Sequence, residues 1–436
     1  MKRIERSSAL LRESYTSFLH PSGLRIFVYP KRLTTSYAVL AVQYGSLDDR
    51  FLLNGEECTL PDGIAHFLEH KLFESEDGSD AFSAFSALGA DANAYTSYTR
   101  TAYLFSCTEH FDASLRELIS FVTHPCFKEE SVKREASIIA EEIRMYRDQP
   151  WERVYENMLR ALYRRHPVRK NICGSVSSVG RITPEALYTA YRAFYRPENM
   201  VLAVCGDVDS DEVLSIVEET LPTYGEAQSL SRVSTSDTGQ VARAYIEEKM
   251  QVAKPLFCIG MKDAVLPKDP EERLRRELCM ALLGELLFSQ SGELYNSLFE
   301  KGLLTPAFTF GYSVGEGFAF ECLSGESDDP AAVLREVKAY LKQVKDKGLD
   351  RAALERCRRA LYADEVRAYD STEEIANRLL SFAFEGTEML SVAELLLQIS
   401  ADELENLMRS FFLEDRFTLS VIRPLSGDDD EKGNNQ

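Results

Sequence analysis

The sequence predicts an α+β protein made of two homologous α/β halves, and two observations carry that prediction. The run Ile182-Thr183-Pro184-Glu185-Ala186-Leu187 continues through Arg192-Ala193-Phe194-Tyr195 to Leu202-Ala203-Val204. It matches Ile399-Ser400-Ala401-Asp402-Glu403-Leu404, Arg409-Ser410-Phe411-Phe412 and Leu419-Ser420-Val421 at a constant offset of 217 residues. Each copy reads as a helix capped by Thr183 or Ser400, then a short turn, then an apolar strand. In a chain of 436 residues, a repeat at half the length is what a duplication produces. The second observation is that apolar residues follow the strand period in some stretches and the helix period in others, in both halves.

Taken in order, residues 24–29 and 36–44 read as strands, as does the longer run 95–107. Residues 112–122 and 129–147 carry helical spacing. Late in the chain 329–347 and 349–368 read as long helices, the first with Asp329 as cap and Pro330 at its first position. Leu221-Pro222-Thr223-Tyr224-Gly225 opens a stretch rich in Ser and Thr, the best linker candidate. The expected division is therefore a first domain over 1–225, a linker over 226–242, a second domain over 243–425 and an acidic disordered tail over 426–436 containing Asp428-Asp429-Asp430-Glu431.

With 44% hydrophobic and 28% charged residues, the composition is that of a globular chain able to bury sizeable cores. Fifty Lys and Arg against seventy Asp and Glu give a net charge of −20, the wrong sign for a protein that tracks nucleic-acid phosphates. No apolar run is long enough for a membrane span, and the charged start Met1-Lys2-Arg3-Ile4-Glu5-Arg6 is followed by no export-signal core. Nine cysteines, an odd number with no C-x-x-C pair, suit reduced thiols and a cytoplasmic location. Neither glycine-rich nucleotide-binding pattern occurs.

All six histidines fall within the first 166 residues, so any imidazole chemistry belongs to the first half. Two of them lie in Gly63-Ile64-Ala65-His66-Phe67-Leu68-Glu69-His70-Lys71-Leu72-Phe73, where Ala65, Leu68 and Leu72 mark one side of a helix. His66 and His70 then project one turn apart from the same face, as two nitrogen ligands of a tetrahedral zinc require. Glu69 stands near that face, placed to take a proton from a metal-bound water. A catalytic zinc needs a third protein ligand. Glu135 and Glu142, seven apart, share one helix face, but Glu130 and Glu141 lie in the same run, and spacing alone leaves a solvated acidic face open.

The order H-x-x-E-H marks the inverzincins, and on these residues the chain resembles the pitrilysin (insulinase) family of zinc metallopeptidases over nearly its whole length. Arg134-Glu135-Ala136-Ser137-Ile138-Ile139-Ala140-Glu141-Glu142 is similar to the family's downstream helix. The resemblance implies Zn2+ held by His66, His70 and Glu142, with Glu69 activating water and Glu135 as a nearby carboxylate that supports catalysis. Gly89-Ala90-Asp91-Ala92-Asn93-Ala94-Tyr95-Thr96 resembles the family's edge strand, which implies that Asn93, Ala94, Tyr95 and Thr96 bind a peptide as an added strand. Tyr146-Arg147-Asp148-Gln149-Pro150-Trp151 and the turn near His166-Pro167 continue the match, with His166 structural.

As a whole the chain is similar to half-length bacterial members, some associated with modification of elongation factor P. For such a chain the resemblance implies a clamshell of two duplicated halves closing a chamber around a peptide. It also implies a dimer in which a paralogous subunit contributes an Arg and a Tyr. Family members that are active alone carry that Arg/Tyr pair in their second half, whereas here Phe299 and Pro306 stand at the matching positions. The expectation is a zinc metalloendopeptidase that requires a partner. The alternative is a zinc-containing scaffold or peptide-binding subunit without activity of its own.

Overall fold

The structure, a computed structural model, describes residues 2–425 except Asp77, Glu226, Ala227 and Ser236; the acidic tail expected over 426–436 lies outside the described residues. Two compact units are present. One holds the residues up to Ile143 together with Asn171–Val233 and Ala363–Glu394, and the other holds Arg144–Lys170, Ser234–Tyr362 and the residues from Leu395 onward.

The first unit is built on strands β1 (Lys2–Ser8), β2 (Glu13–Leu19), β3 (Arg25–Pro30), β4 (Ser36–Val42), β5 (Arg50–Leu53), β6 (Glu56–Thr59), β7 (Asp91–Thr96), β8 (Thr101–Cys107), β9 (Met200–Gly206) and β10 (Leu230–Arg232). Seven of them form one sheet in the order β1-β2-β3-β9-β4-β8-β7, while β10, β5 and β6 form a small separate sheet. Only β3 and β9 run parallel in the large sheet. β4 reads Ser-Tyr-Ala-Val-Leu-Ala-Val and is buried almost throughout, as a central strand covered on both faces must be. Tyr37, Val39 and Ala41 point to the face covered by the helix Thr372–Glu385, where Ile375, Ala376, Leu379 and Leu380 complete the core. Each fully buried aliphatic side chain there contributes about 1.5–3 kcal/mol.

The second unit contains β11 (Tyr245–Met250), β12 (Leu256–Lys262), β13 (Thr309–Gly315), β14 (Phe318–Glu326) and β15 (Phe417–Pro424), ordered β11-β15-β12-β14-β13. Here too one pair is parallel, β11 with β15, and the rest are antiparallel. The five strands repeat the order and directions of β3-β9-β4-β8-β7. The repeat seen in sequence lands on matching elements: helices Pro184–Phe194 and Ala401–Phe411, capped by Thr183 and Ser400 onto the N–H groups of Ala186 and Glu403, each lead toward the central strand β9 or β15.

The expected division at residues 225 and 243 follows the sheets but not the helices. The helix Pro150–Leu162 belongs to the second unit, where it packs on β12 and β15, and Thr372–Glu385 belongs to the first, on β4 and β9. An amphipathic helix joins whichever sheet face buries its apolar stripe, and position in sequence does not decide which. At Gly260 of β12 the fit is close enough that a Cβ would stand 2.8 Å from Met158 Cγ, so only glycine lets that helix settle. The region expected as a linker is also anchored. β10 pairs with β5, Arg232 bonds Asp48 at 2.8 Å, and Asp237 accepts the backbone N–H groups of Arg164, Arg165 and His166. Residues 95–107 are not one strand but the end of β7, a turn closed by Ser97 N–H on the Arg100 carbonyl, and β8; Ser97-Tyr98-Thr99-Arg100 contains neither Gly nor Pro to mark the turn. No helix among the described residues is long and apolar enough to cross a membrane.

Candidate metal centre

The helix Ile64–Leu72 buries Ile64, Ala65, Phe67, Leu68 and Leu72, which fixes its rotation and leaves His66 and His70 on its other side. Its start depends on Gly63, at φ 90°, where a Cβ would lie 2.3 Å from the carbonyl oxygen of Cys173. Glycine is needed on both counts. The second wall of the site is the helix Glu129–Arg147, which buries Val132, Ile139, Ala140 and Ile143 and so presents Glu135 and Glu142 from one face.

His66 Nε2 lies 3.7 Å from Glu142 Oε1, and His70 Nε2 lies 3.7 Å from Glu142 Oε2. One donor atom from each of the three residues falls within 4.8 Å of the others, and among the described residues no other His, Cys, Asp or Glu group does this. Ligands at about 2.0–2.1 Å around a tetrahedral metal stand roughly 3.4 Å apart, close to these separations. The donors converge without bonding one another, and Glu142 Oε2 and His66 Nδ1 are buried with no hydrogen-bond partner. Two imidazoles and a carboxylate held this way fit a divalent transition metal.

The electrostatics agree with that donor set. Burial, with His70 alongside, pushes His66 down to about 3, so it is the neutral imidazole that a metal requires. Burial pulls His70 the same way, but the bond from its Nδ1 to Glu135 Oε1 at 3.0 Å and the carboxylates of Glu69 and Glu142 outweigh it and lift the ring above its usual value. In that bond the His70 Nδ1–H donates to the Glu135 carboxylate, which leaves Nε2 turned toward Glu142. Glu69 is raised by burial, against the opposing effects of Thr96 and His70.

The sequence-predicted residues take distinct places. His66, His70 and Glu142 come together as the donor group; Glu135 stands behind His70; Glu69 flanks the group. Asn93, Ala94, Tyr95 and Thr96 lie on β7, an outermost strand of the large sheet, whose far edge pairs with no other strand among the described residues. Thr96 does more than line that edge. Its hydroxyl donates to Glu69 Oε2 at 2.6 Å and lies 3.3 Å from the hydroxyl of Thr101, which in turn donates to the Tyr44 carbonyl at 2.9 Å. Cys173, with Sγ 3.8 Å from His66 Nε2, also borders the site. Neither contact has a signature in the sequence, because each joins residues far apart in the chain. His166 is buried away from the donor group, with Nε2 on the Glu316 carbonyl at 3.0 Å, a structural role.

Comparison with known proteins agrees with this geometry. Residues 28–175 match the family described as insulinase, peptidase family M16, and residues 181–361 match the domain described as peptidase M16 inactive domain. The chain is 38% identical over 410 residues to the uncharacterized zinc protease YmfH of Bacillus subtilis (strain 168), covering 93% of this chain and 95% of that protein. It superposes on an M16-like peptidase structure from Alicyclobacillus acidocaldarius with a TM-score of 0.91 at 30% identity, covering 94% of this chain and 98% of the other. A protease structure from Helicobacter pylori shares the fold, with a TM-score of 0.82 at 19% identity over 94% of this chain and all of that one. Carrying the donor set on the expected helices and matching such relatives over nearly its full length, the chain belongs to the insulinase (M16) peptidase family.

Proposed function

We propose that the chain is a zinc-dependent metalloendopeptidase that hydrolyses peptides bound as an added strand along β7, inside a closed chamber and together with a partner subunit. The observation that carries this reading is the joining of three elements: the His66, His70 and Glu142 donor group, the Glu69 carboxylate beside it, and the Thr96 bond that ties Glu69 to the free edge of β7. The name zinc protease borne by the B. subtilis relative supports zinc as the metal.

His66, His70 and Glu142 would hold the zinc, which would supply Lewis acidity and lower the pKa of water there. Glu69 then holds the proton released during attack and returns it to the leaving amine, a role suited to a carboxylate raised by burial. Thr96 keeps Oε2 of Glu69 oriented. The backbone of Asn93–Thr96 aligns the substrate strand, whose register sets which carbonyl faces the metal. The reading places the protein in the cytoplasm, in keeping with nine cysteines of which none forms a disulfide.

Phe299 and Pro306 support the need for a partner, since neither offers a donor to the developing oxyanion. Phe299 is exposed on the helix Glu293–Glu300, stacked on Tyr295, and Pro306 presents only its carbonyl, to Gln290. Loss of one such donor costs about 10²–10³ in rate. The same two residues favour a second reading, a zinc-containing scaffold or peptide-binding subunit. Peptide cleavage by the purified protein, alone and mixed with a family member of similar length that carries the Arg/Tyr pair, separates the two. Near-inactivity alone, restoration on mixing and abolition by Glu69→Gln at unchanged zinc content are expected. Continued inactivity with every such partner selects the scaffold, and vigorous cleavage by the isolated chain removes the partner requirement.

A further inference from the structure

A cavity of about 630 Å³ opens in the second unit between the helix Pro150–Leu162 and β11. It is lined by arginines. Arg153 and Arg160, two turns apart on one helix face, are followed by Arg164 just past the helix end, and Arg169 and Arg243 close the remaining sides. In a chain of net charge −20 such a gathering of guanidinium groups runs against the overall field.

The carboxylates in the lining are already committed. Glu248 accepts from Arg153 at 2.7 Å and from Asn157 at 2.8 Å, and Glu247 accepts from Arg423 at 2.6 Å. Arg164, Arg169 and Arg243 have no carboxylate partner among the described residues. The Arg169 guanidinium instead donates one N–H to the Arg164 carbonyl at 2.8 Å, and the backbone N–H of Arg243 donates to the Ala161 carbonyl at 2.9 Å, a contact that does not involve its guanidinium. Only Ala242 and Ile246 add aliphatic side chains to the lining, too little to hold an apolar ligand.

The duplication explains why there is room. In the first unit β3 is flanked by β2, whose Tyr15 packs into the core with Ile375 and its neighbours. The counterpart of β3 is β11, which among the described residues pairs only with β15. Among the described residues the second unit has no strand on that side.

We propose that this cavity binds a compact polyanion of the phosphate class, of the size of a triphosphate. Planar guanidinium forks match phosphate oxygens two at a time, and those of Arg164 and Arg243, with the N–H groups of Arg169 left over from its bond to the Arg164 carbonyl, provide a multidentate site. A nucleoside triphosphate and inorganic polyphosphate share this chemistry, so both serve as probes.

Calorimetric titration of the full-length protein with tripolyphosphate and with ATP, free of added divalent cations, tests the assignment. The expected result is saturable binding of tripolyphosphate at one site per chain, weakening as salt is raised. It persists in His70→Ala, where the metal centre is dismantled, and falls about 100-fold or more in the double variant Arg164→Ala/Arg243→Ala, whose exposed positions leave thermal unfolding unchanged. Equal binding of ATP places nucleoside triphosphates within the ligand class; binding of tripolyphosphate alone narrows it to inorganic polyphosphate. Absence of saturable binding, unchanged affinity in the double arginine variant, loss of binding in His70→Ala, or citrate binding as tightly as tripolyphosphate overturns the proposal. The peptidase reading stands or falls separately, since the site is independent of the metal centre.

Discussion

In the first unit Met200 pairs with Val42, Val42 with Thr101 and Thr101 with Thr96. In the second, 217 residues beyond Met200, Phe417 pairs with Met261, Met261 with Glu321 and Glu321 with Tyr312. The same point of the same sheet thus carries two different sets of side chains. In one, the threonine pair hands a hydrogen bond to Glu69 beside the imidazoles. In the other, Tyr312 donates to Asp263 at 2.7 Å, Arg276 grips the same carboxylate at 2.7 and 2.9 Å, and Glu321 is buried and pushed up to about 8 by desolvation. The second unit thus neutralises one of its carboxylates with an arginine and keeps the other protonated. The difference teaches that the duplicated register supplies only positions. A donor group able to hold a metal forms where the adjoining helices present side chains that remain uncommitted to partners within the fold.

The largest expected effect breaks the comparison outright. His70→Ala makes the first unit as unable to bind metal as the second, and metal analysis should fall from about one ion per chain to almost none. Retention of a full equivalent would show that the donor group is misassigned.

Next comes the second unit's own anomaly. Glu321 titrates near 8 when folded and near 4.5 when unfolded, so between those values the folded state holds the extra proton. Its contribution therefore turns against folding as pH rises through that window, by up to a few kcal/mol. Glu321→Gln should gain stability over the parent at pH about 9 and differ little at pH about 4, measured by urea unfolding. An equal difference at both values would mean that the carboxyl is not protonated in the fold.

A smaller effect sharpens the metal side. Glu135→Gln keeps the shape but weakens the grip on the His70 Nδ1 proton, and metal affinity should drop about 10–100-fold in competition with a chelator. Smallest is Thr96→Ala, which frees Glu69 to rotate and should cost roughly tenfold in turnover with metal content unchanged. Thr96→Ser, which keeps the hydroxyl, should restore most of it. Equal loss in both variants would assign Thr96 to packing.

Much of the centre is legible in the sequence because it is local. His66, Glu69 and His70 share two turns of one helix, and the seven-residue step from Glu135 to Glu142 places both on one face of another. Choosing Glu142 as ligand and Glu135 as its support needed the family resemblance, since Glu130 and Glu141 have the same composition and nearly the same place. The contacts from Thr96 to Glu69 and from Cys173 to His66 span 27 and 107 residues and leave no pattern along the chain.

What the sequence by itself determined is what short-range stereochemistry dictates. The capped helices after Thr183 and Ser400, the buried central strands β4 and β9, and the face shared by His66 and His70 all follow from periods of 3.6 and 2 and from caps within a turn. Only the tertiary structure decided that Pro150–Leu162 covers β12 and β15 while Thr372–Glu385 covers β4 and β9. It also decided that residues 95–107 turn back on themselves, and that Arg153 and Arg160 share a cavity with Arg243. The reason is that an apolar stripe or a charged side chain states what kind of surface it will meet, whereas which surface it meets depends on how separate elements compete to bury the same sheet face.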